Sequence, residues 1–171
     1  MPNPVDLELF SPSSPRPTVT DAFKIGYYEP RWTGTYVPVQ EIEHAIEKLK
    51  REGFQVEGVP AHAIRYDMMP MFYRSLTVLI DKLQGGFYGL MACEAAACGI
   101  PVVASTAKVR CHLGAEPFFE FSGDLAEDLR YLLEDEEERK RIAENGRNYV
   151  ENRHAASRIA ERTIDIYRSL T

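Results

Sequence analysis

Two features of residues 81–105 have the makings of chemistry. The first is a loop with three glycines, Gln84-Gly85-Gly86-Phe87-Tyr88-Gly89. It follows the short apolar run Thr77-Val-Leu-Ile80 and leads straight into an alanine-rich segment, Leu90 to Cys98. Glycines let a ligand approach the backbone closely, and the N–H groups of a first helical turn bind phosphate. The same glycines also serve simple strand-to-helix packing. The second feature is Glu94, a carboxylate in the otherwise apolar Leu-Met-Ala-Cys-Glu-Ala-Ala-Ala-Cys. Burying a charge without a partner is costly. Either a structural pairing holds it, or it accepts hydrogen bonds from sugar hydroxyls, as acidic residues do for a nucleotide ribose in α/β folds. Asp81, at the strand end, reads as a cap on the glycine loop or as a functional carboxylate. Phe87 and Tyr88 read as a stacking surface for a base or as core, with core favoured for one of them.

Those residues need a scaffold. The run 77–80 has the continuous apolar character of a parallel strand covered on both faces, and Pro101 to Ala104 repeats it. Phe23 to Tyr28 and Phe54 to Val59 read as further strands, and Phe118 to Phe121 as a last one. Residues 38–52 carry an apolar stripe, Val39, Ile42, Ile46 and Leu49, between Pro38 and Gly53, which predicts a helix with a start and a stop. A short helix is expected near Met68 to Ser75. Helices are also expected over Leu90 to Cys98, Asp124 to Leu133, Glu136 to Arg153 and Ala155 to Leu170. Strands alternating with helices predict one α/β domain, a Rossmann-like parallel sheet flanked by helices with a helical C-terminal end. Ligands of such sheets bind beyond the C-terminal strand ends. That rule selects three loops: Glu29 to Tyr36, Asp81 to Gly89, and Ser105 to His112.

Composition narrows the field. The chain has 171 residues, 44% of them apolar, enough for one domain with a real core. Twenty Lys and Arg stand against 26 Asp and Glu, a net charge of -6, which is no footprint for nucleic acid or an anionic membrane. No apolar run is long enough for a transmembrane segment, and the N-terminus lacks a secretory pattern, so a cytoplasmic chain is expected. Cys93, Cys98 and Cys111 read as reduced and apolar, and Cys98, Cys111 and His112 lack zinc-ligand spacing. His62, His112 and His154 have no partner in sequence and read as surface or loop residues. Residues 1–22, with Pro2, Pro4, Pro12, Pro15 and Pro17, predict an extended, unpacked linker, and residues 23–171 the domain.

A family resemblance joins these pieces. Glu94-Ala-Ala-Ala-Cys-Gly-Ile-Pro-Val-Val-Ala-Ser105 is similar to the EAMACGxPVVAS signature of the group 1 (family 4) glycosyltransferases, which have two Rossmann-like domains, the GT-B fold. Asn3-Pro-Val-Asp-Leu-Glu-Leu-Phe-Ser-Pro12 resembles the NGVDxxxFxP segment that opens their C-terminal domain. Glu138 to Leu170, with Arg141-Ile-Ala-Glu-Asn-Gly-Arg and Asn148-Tyr-Val, resembles the closing helices. The resemblance implies one half of a GT-B fold, the half that binds a nucleotide-sugar, with the acceptor held by a second domain or subunit. It implies no metal or other cofactor, because helix dipole and basic groups meet the leaving diphosphate.

By the same resemblance Glu94 is the second acid of a paired-glutamate motif and contacts the donor ribose. The first acid falls at Gly86 and is missing; Gly86-Phe-Tyr-Gly89 resembles a branch that reads GWYG there. The phosphate-binding lysine falls at Thr33, before Gly34, and Arg31 is the nearby candidate to supply the charge. The Gly-Gly loop after the PVVAS strand is replaced by Thr106-Ala-Lys-Val-Arg110. The expected donor-binding set is therefore Glu94, Gly86, Phe87, Tyr88, Gly89, Arg31, Gly34 and Asp81, with no metal ligands. The competing readings are a non-catalytic nucleotide-sugar-binding or regulatory interaction module, and an unrelated flavodoxin-like or receiver-like domain. An apolar outer face on the last helix is expected if a second domain packs against it.

Overall fold

A computed structural model describes residues 2–12, 22–29, 37–109 and 116–170. Five strands form one sheet: β1 (Phe23–Tyr28), β2 (Val56–Ala61), β3 (Val78–Ile80), β4 (Val102–Ala104) and β5 (Phe119–Glu120). Their order is β2-β1-β3-β4-β5, and every pairing is parallel. The helices are α1 (Val39–Arg51), α2 (Met69–Arg74), α3 (Leu90–Ala97), α4 (Leu125–Glu134), α5 (Glu136–Arg153) and α6 (Ala156–Ser169), with a 3-10 turn, Tyr66–Met68, leading into α2.

Successive strand residues point to opposite faces, so each buried strand supplies two cores. Val78, Ile80 and Val103 face one side, where α1 brings Ile42, Ile46 and Leu49 and α4 brings Leu125, Leu129 and Leu132. Leu79, Val102 and Ala104 face the other, against Tyr73 of α2, the alanines of α3 and Val150 of α5. A strand buried on both faces has no polar alternation, which is why β3 and β4 read as unbroken apolar runs. On the second side α3 and α5 approach closely. A Cβ placed on Gly146 would lie 2.9 Å from the Pro117 carbonyl and 3.1 Å from Ala96 Cβ.

Two expectations need correction. The second strand is Val56–Ala61, two residues later than the expected 54–59. Phe54 N–H still bonds back to Leu49 O at 3.1 Å, closing the turn after α1. At the other end β2 runs on through Pro60, which an edge strand tolerates. The opening segment is also packed, not an unpacked linker, over its first part. Val5 and Phe10 are fully buried. Val5 bridges Ala155, with Val5 N–H donating to His154 O at 2.7 Å and Ala156 N–H to Val5 O at 3.0 Å. Arg74 Nε donates to Ser11 O at 2.7 Å, and Arg147 Nη1 to Phe10 O at 3.0 Å. Proline and serine counts hid two apolar anchors.

The last helix docks through Ile159, and beyond that contact Ile164, Ile166, Tyr167 and the C-cap residue Leu170 are exposed. No helix among the described residues is long and apolar enough to cross a membrane.

Candidate functional site

The order β2-β1-β3-β4-β5 reverses direction between β1 and β3, and ligands of such sheets bind beyond the strand ends at that switch point. The loop after β3 forms one wall. Arg31, Thr33 and Gly34, which follow β1 in sequence, lie outside the described residues, as do Cys111 and His112.

The β3 loop is built around Asp81. This side chain is buried, and Gly89 N–H donates to its Oδ2. The carboxylate thus closes the glycine loop, which is the capping reading. Burial pushes its pKa up, and the N–H groups of Gly89 and Lys82, followed by the Lys82 charge, pull it partly back. Gly89 then opens α3 with extended backbone and no side-chain cap, so among the described residues no capping side chain meets the first-turn N–H groups.

Gly86 is required where it stands. Its φ is +76°, and an added Cβ would lie 2.8 Å from Lys108 Cγ and 3.0 Å from the Lys108 backbone nitrogen. Lys108 N–H in turn donates to Gly86 O at 3.0 Å. Ser105 N–H donates to Lys82 O at 2.8 Å, so the loops after β3 and β4 are joined at their base as well. Glu120, on β5, holds the β4 loop from the far side by accepting from Thr106 N at 2.9 and 3.1 Å and from its hydroxyl. The space that the missing acid would occupy is therefore filled by the β4 loop.

Glu94 is 5% exposed, in the second turn of α3. Tyr73 hydroxyl donates to its Oε2 at 2.7 Å. Oε1 accepts no hydrogen bond among the described residues, and it is not sealed from solvent, since no buried side-chain oxygen lacks a partner. Burial raises the Glu94 pKa, and the Tyr73 hydrogen bond lowers it partly back. The tyrosine holds half of the carboxylate in place and leaves the other half available. Tyr66 lies nearby: partial burial of its phenol, and after it the Glu94 charge, raise its pKa.

The two aromatics of the loop part company. Phe87 lies under Lys82, whose Nζ is 4.6 Å from the ring centroid. Tyr88 turns into the second core, 5.1 Å from the Phe118 ring, with its hydroxyl 2.7 Å from Tyr149 Oη and 3.1 Å from His154 Nε2. Tyr88 thus follows the core reading and anchors the loop to α5.

His154 is no surface residue; it is 2% exposed. Its Nδ1 is 2.9 Å from the Asn3 carbonyl, which can only accept, so Nδ1 carries the proton and Nε2 accepts from Tyr88. Burial lowers its pKa below the ordinary 6.5. Below that pH the unfolded chain takes a proton that the folded chain refuses. This contribution to stability is complete above about pH 6.5 and is lost as pH falls through the folded value. The raised carboxylates Asp81, Glu94 and Asp128 act in the opposite sense, favouring the folded state at acid pH. Comparing wild type with His154→Gln isolates the imidazole. Thermal melts from pH 7.5 to 5 should show a steeper acid loss in the wild type, and parallel curves would refute the assignment.

Asp81, Gly86, Phe87 and Gly89 therefore gather at one strand end, with Glu94 one turn below, while Tyr88 faces the core. Sequence reasoning missed Tyr73, Lys82 and Lys108. Lys82 could have been found, because it follows Asp81 at a strand end. Tyr73 and Lys108 take their places only through contacts distant in sequence.

Among solved structures, the chain is similar to the C-terminal domain of a group 1 glycosyl transferase, LpcC, from Francisella tularensis. The identity is 21% and the TM-score 0.59, over 88% of this chain and 98% of that one. It is also similar to Anabaena HepE in complex with UDP, at 19% identity and TM-score 0.67 over 97% and 56%. A glycosyltransferase from Rickettsia africae matches at 15% identity and TM-score 0.71 over 98% and 55%. The chain thus spans nearly all of the isolated C-terminal domain and about half of the longer chains. No curated protein is significantly similar to it in sequence. The glycosyl transferase-like family matches residues 40–165, from α1 into α6 and across every site element described above, and the chain belongs to that family.

Proposed function

We propose that this chain is the donor-binding half of a glycosyltransferase. A nucleotide-sugar lies across the switch-point crevice, its ribose hydroxyls at Glu94 and its diphosphate over the glycine loop and the N-terminus of α3. The observation that carries this is Glu94 itself, a buried carboxylate with one oxygen held by Tyr73 and the other accepting no hydrogen bond among the described residues. The UDP named with Anabaena HepE supports a nucleoside diphosphate as ligand.

In the reaction, the bond from sugar C1 to the diphosphate oxygen breaks and the diphosphate leaves with the electron pair. An acceptor oxygen forms the new bond to C1 and loses its proton. This chain's part is to bind the donor and to meet the charge on the leaving group, using helix N–H groups and lysines. No metal ion is required for that. The acceptor is held by a second domain or subunit, a reading supported by the coverage of about half of the longer chains and by the exposed apolar residues at the end of α6.

Gly86 supports a second reading, a nucleotide-sugar-binding module without transfer, because the position of the first acid cannot take a side chain as the loop stands. Calorimetric titration with UDP, GDP, ADP and their sugar conjugates tests binding. Saturable binding of one nucleotide series is expected, and no binding to any would sink both readings. A transfer assay with a co-expressed acceptor domain then separates them.

A further inference from the structure

The glycine loop lies between two lysines that neither the sequence signature nor the fold assigns. We propose that Lys82 and Lys108 form a cationic clamp on the diphosphate of the bound nucleotide. The proposal rests on the donor-binding reading above. The stem of Lys108 passes Gly86, where an added Cβ would lie 2.8 Å from Lys108 Cγ. The stem of Lys82 passes Gly89, where an added Cβ would lie 3.3 Å from Lys82 Cε. The two side chains thus bracket the loop whose last residue opens α3.

Neither ammonium forms an ion pair among the described residues. The nearby acids have backbone donors of their own: Asp81 caps Gly89, with the Lys82 charge acting on it as the smallest of its influences, and Glu120 accepts from Thr106. Lys82 is oriented over the Phe87 ring, 4.6 Å from its centroid, and Lys108 is tied to the loop by its own backbone bond to Gly86 O. A diphosphate at the uncapped start of α3 would meet both ammonium groups, adding charge-assisted hydrogen bonds to those of the backbone.

This gives the loss at position 86 a physical meaning. An acid there would need the space that Lys108 fills, and its charge would compete with the phosphate for Lys108. Glycine leaves the lysine free to face the ligand.

The test uses the full chain with UDP, UMP and uridine, or the guanosine or adenosine set if titration selects that base. Affinity should rise with phosphate count and fall with added salt. Lys108→Met should weaken UDP by about tenfold to a hundredfold and leave uridine unchanged, and Lys82→Met should act in the same direction. Lys108→Arg should keep most of the affinity. Unchanged melting curves would show that the variants are folded. If Lys108→Met keeps UDP within twofold, or if UDP and uridine bind the wild type equally, the clamp is overturned and donor binding stands. A wild type that binds none of the three base sets overturns both.

Discussion

Glu94→Ala is expected to weaken nucleotide binding by about tenfold to a hundredfold, the loss expected when hydrogen bonds to a charged acceptor are removed. The carboxylate is held by Tyr73 at 2.7 Å, so its orientation precedes the ligand and little ordering remains to be done on binding. Alanine also strands the Tyr73 hydroxyl, which is fully buried and would cost about 1–3 kcal/mol of stability. Binding must therefore be read well below the variant's melting temperature. Glu94→Gln keeps an acceptor for Tyr73 but loses the charge, and should lie between wild type and alanine. Tyr73→Phe removes the hydroxyl alone and should lose stability with a smaller change in affinity. Because burial raises the Glu94 pKa, the wild type should begin to lose affinity on acidification at a higher pH than an ordinary glutamate would dictate. The Gln variant should lack that component. Equal affinity of wild type and alanine would show that Glu94 serves the core alone.

The second large effect concerns Gly86. Restoring an acid with Gly86→Glu should not repair a lost site; it should damage the fold. The φ of +76° disfavours any L side chain, and the Lys108 backbone nitrogen, 3.0 Å from the new Cβ, cannot yield as a side-chain tip would. Strain and overpacking together predict a loss of about 2–4 kcal/mol. Gly86→Ala should show most of that loss without any charge. Both should also weaken nucleotide binding, because the loop that opens α3 would shift. Thermal melts with titrations decide it. A glutamate variant that melts with the wild type and binds more tightly would mean that the β4 loop gives way easily and that glycine marks simple loss.

The architecture was legible because its signal is local. The apolar stripe of α1 and the unbroken runs of β3 and β4 are patterns of neighbouring residues, and burial on one face or two is written into them. The candidate site was half legible. Glu94 stood out because a carboxylate in an alanine helix conflicts with its surroundings, and such conflicts gather at functional places. The same logic failed at residues 2–12, where proline and serine dominate the composition while Val5 and Phe10 do the packing. It failed at His154, whose partners Asn3 and Tyr88 lie 151 and 66 residues away.

By itself, then, the sequence determined the alternation of strands and helices, the glycine loop after β3 and the isolation of one acid in α3. Periodicity and local composition are enough for each of these. Only the tertiary structure decided that Asp81 is a cap, that Tyr88 is core and that Tyr73 holds one half of Glu94. It also decided that Lys108 fills the place of the missing acid. Those outcomes depend on which distant segments meet at the switch point between β1 and β3. The order of strands in the sheet sets that meeting, and strand order is a property of the whole core, not of any window of the chain.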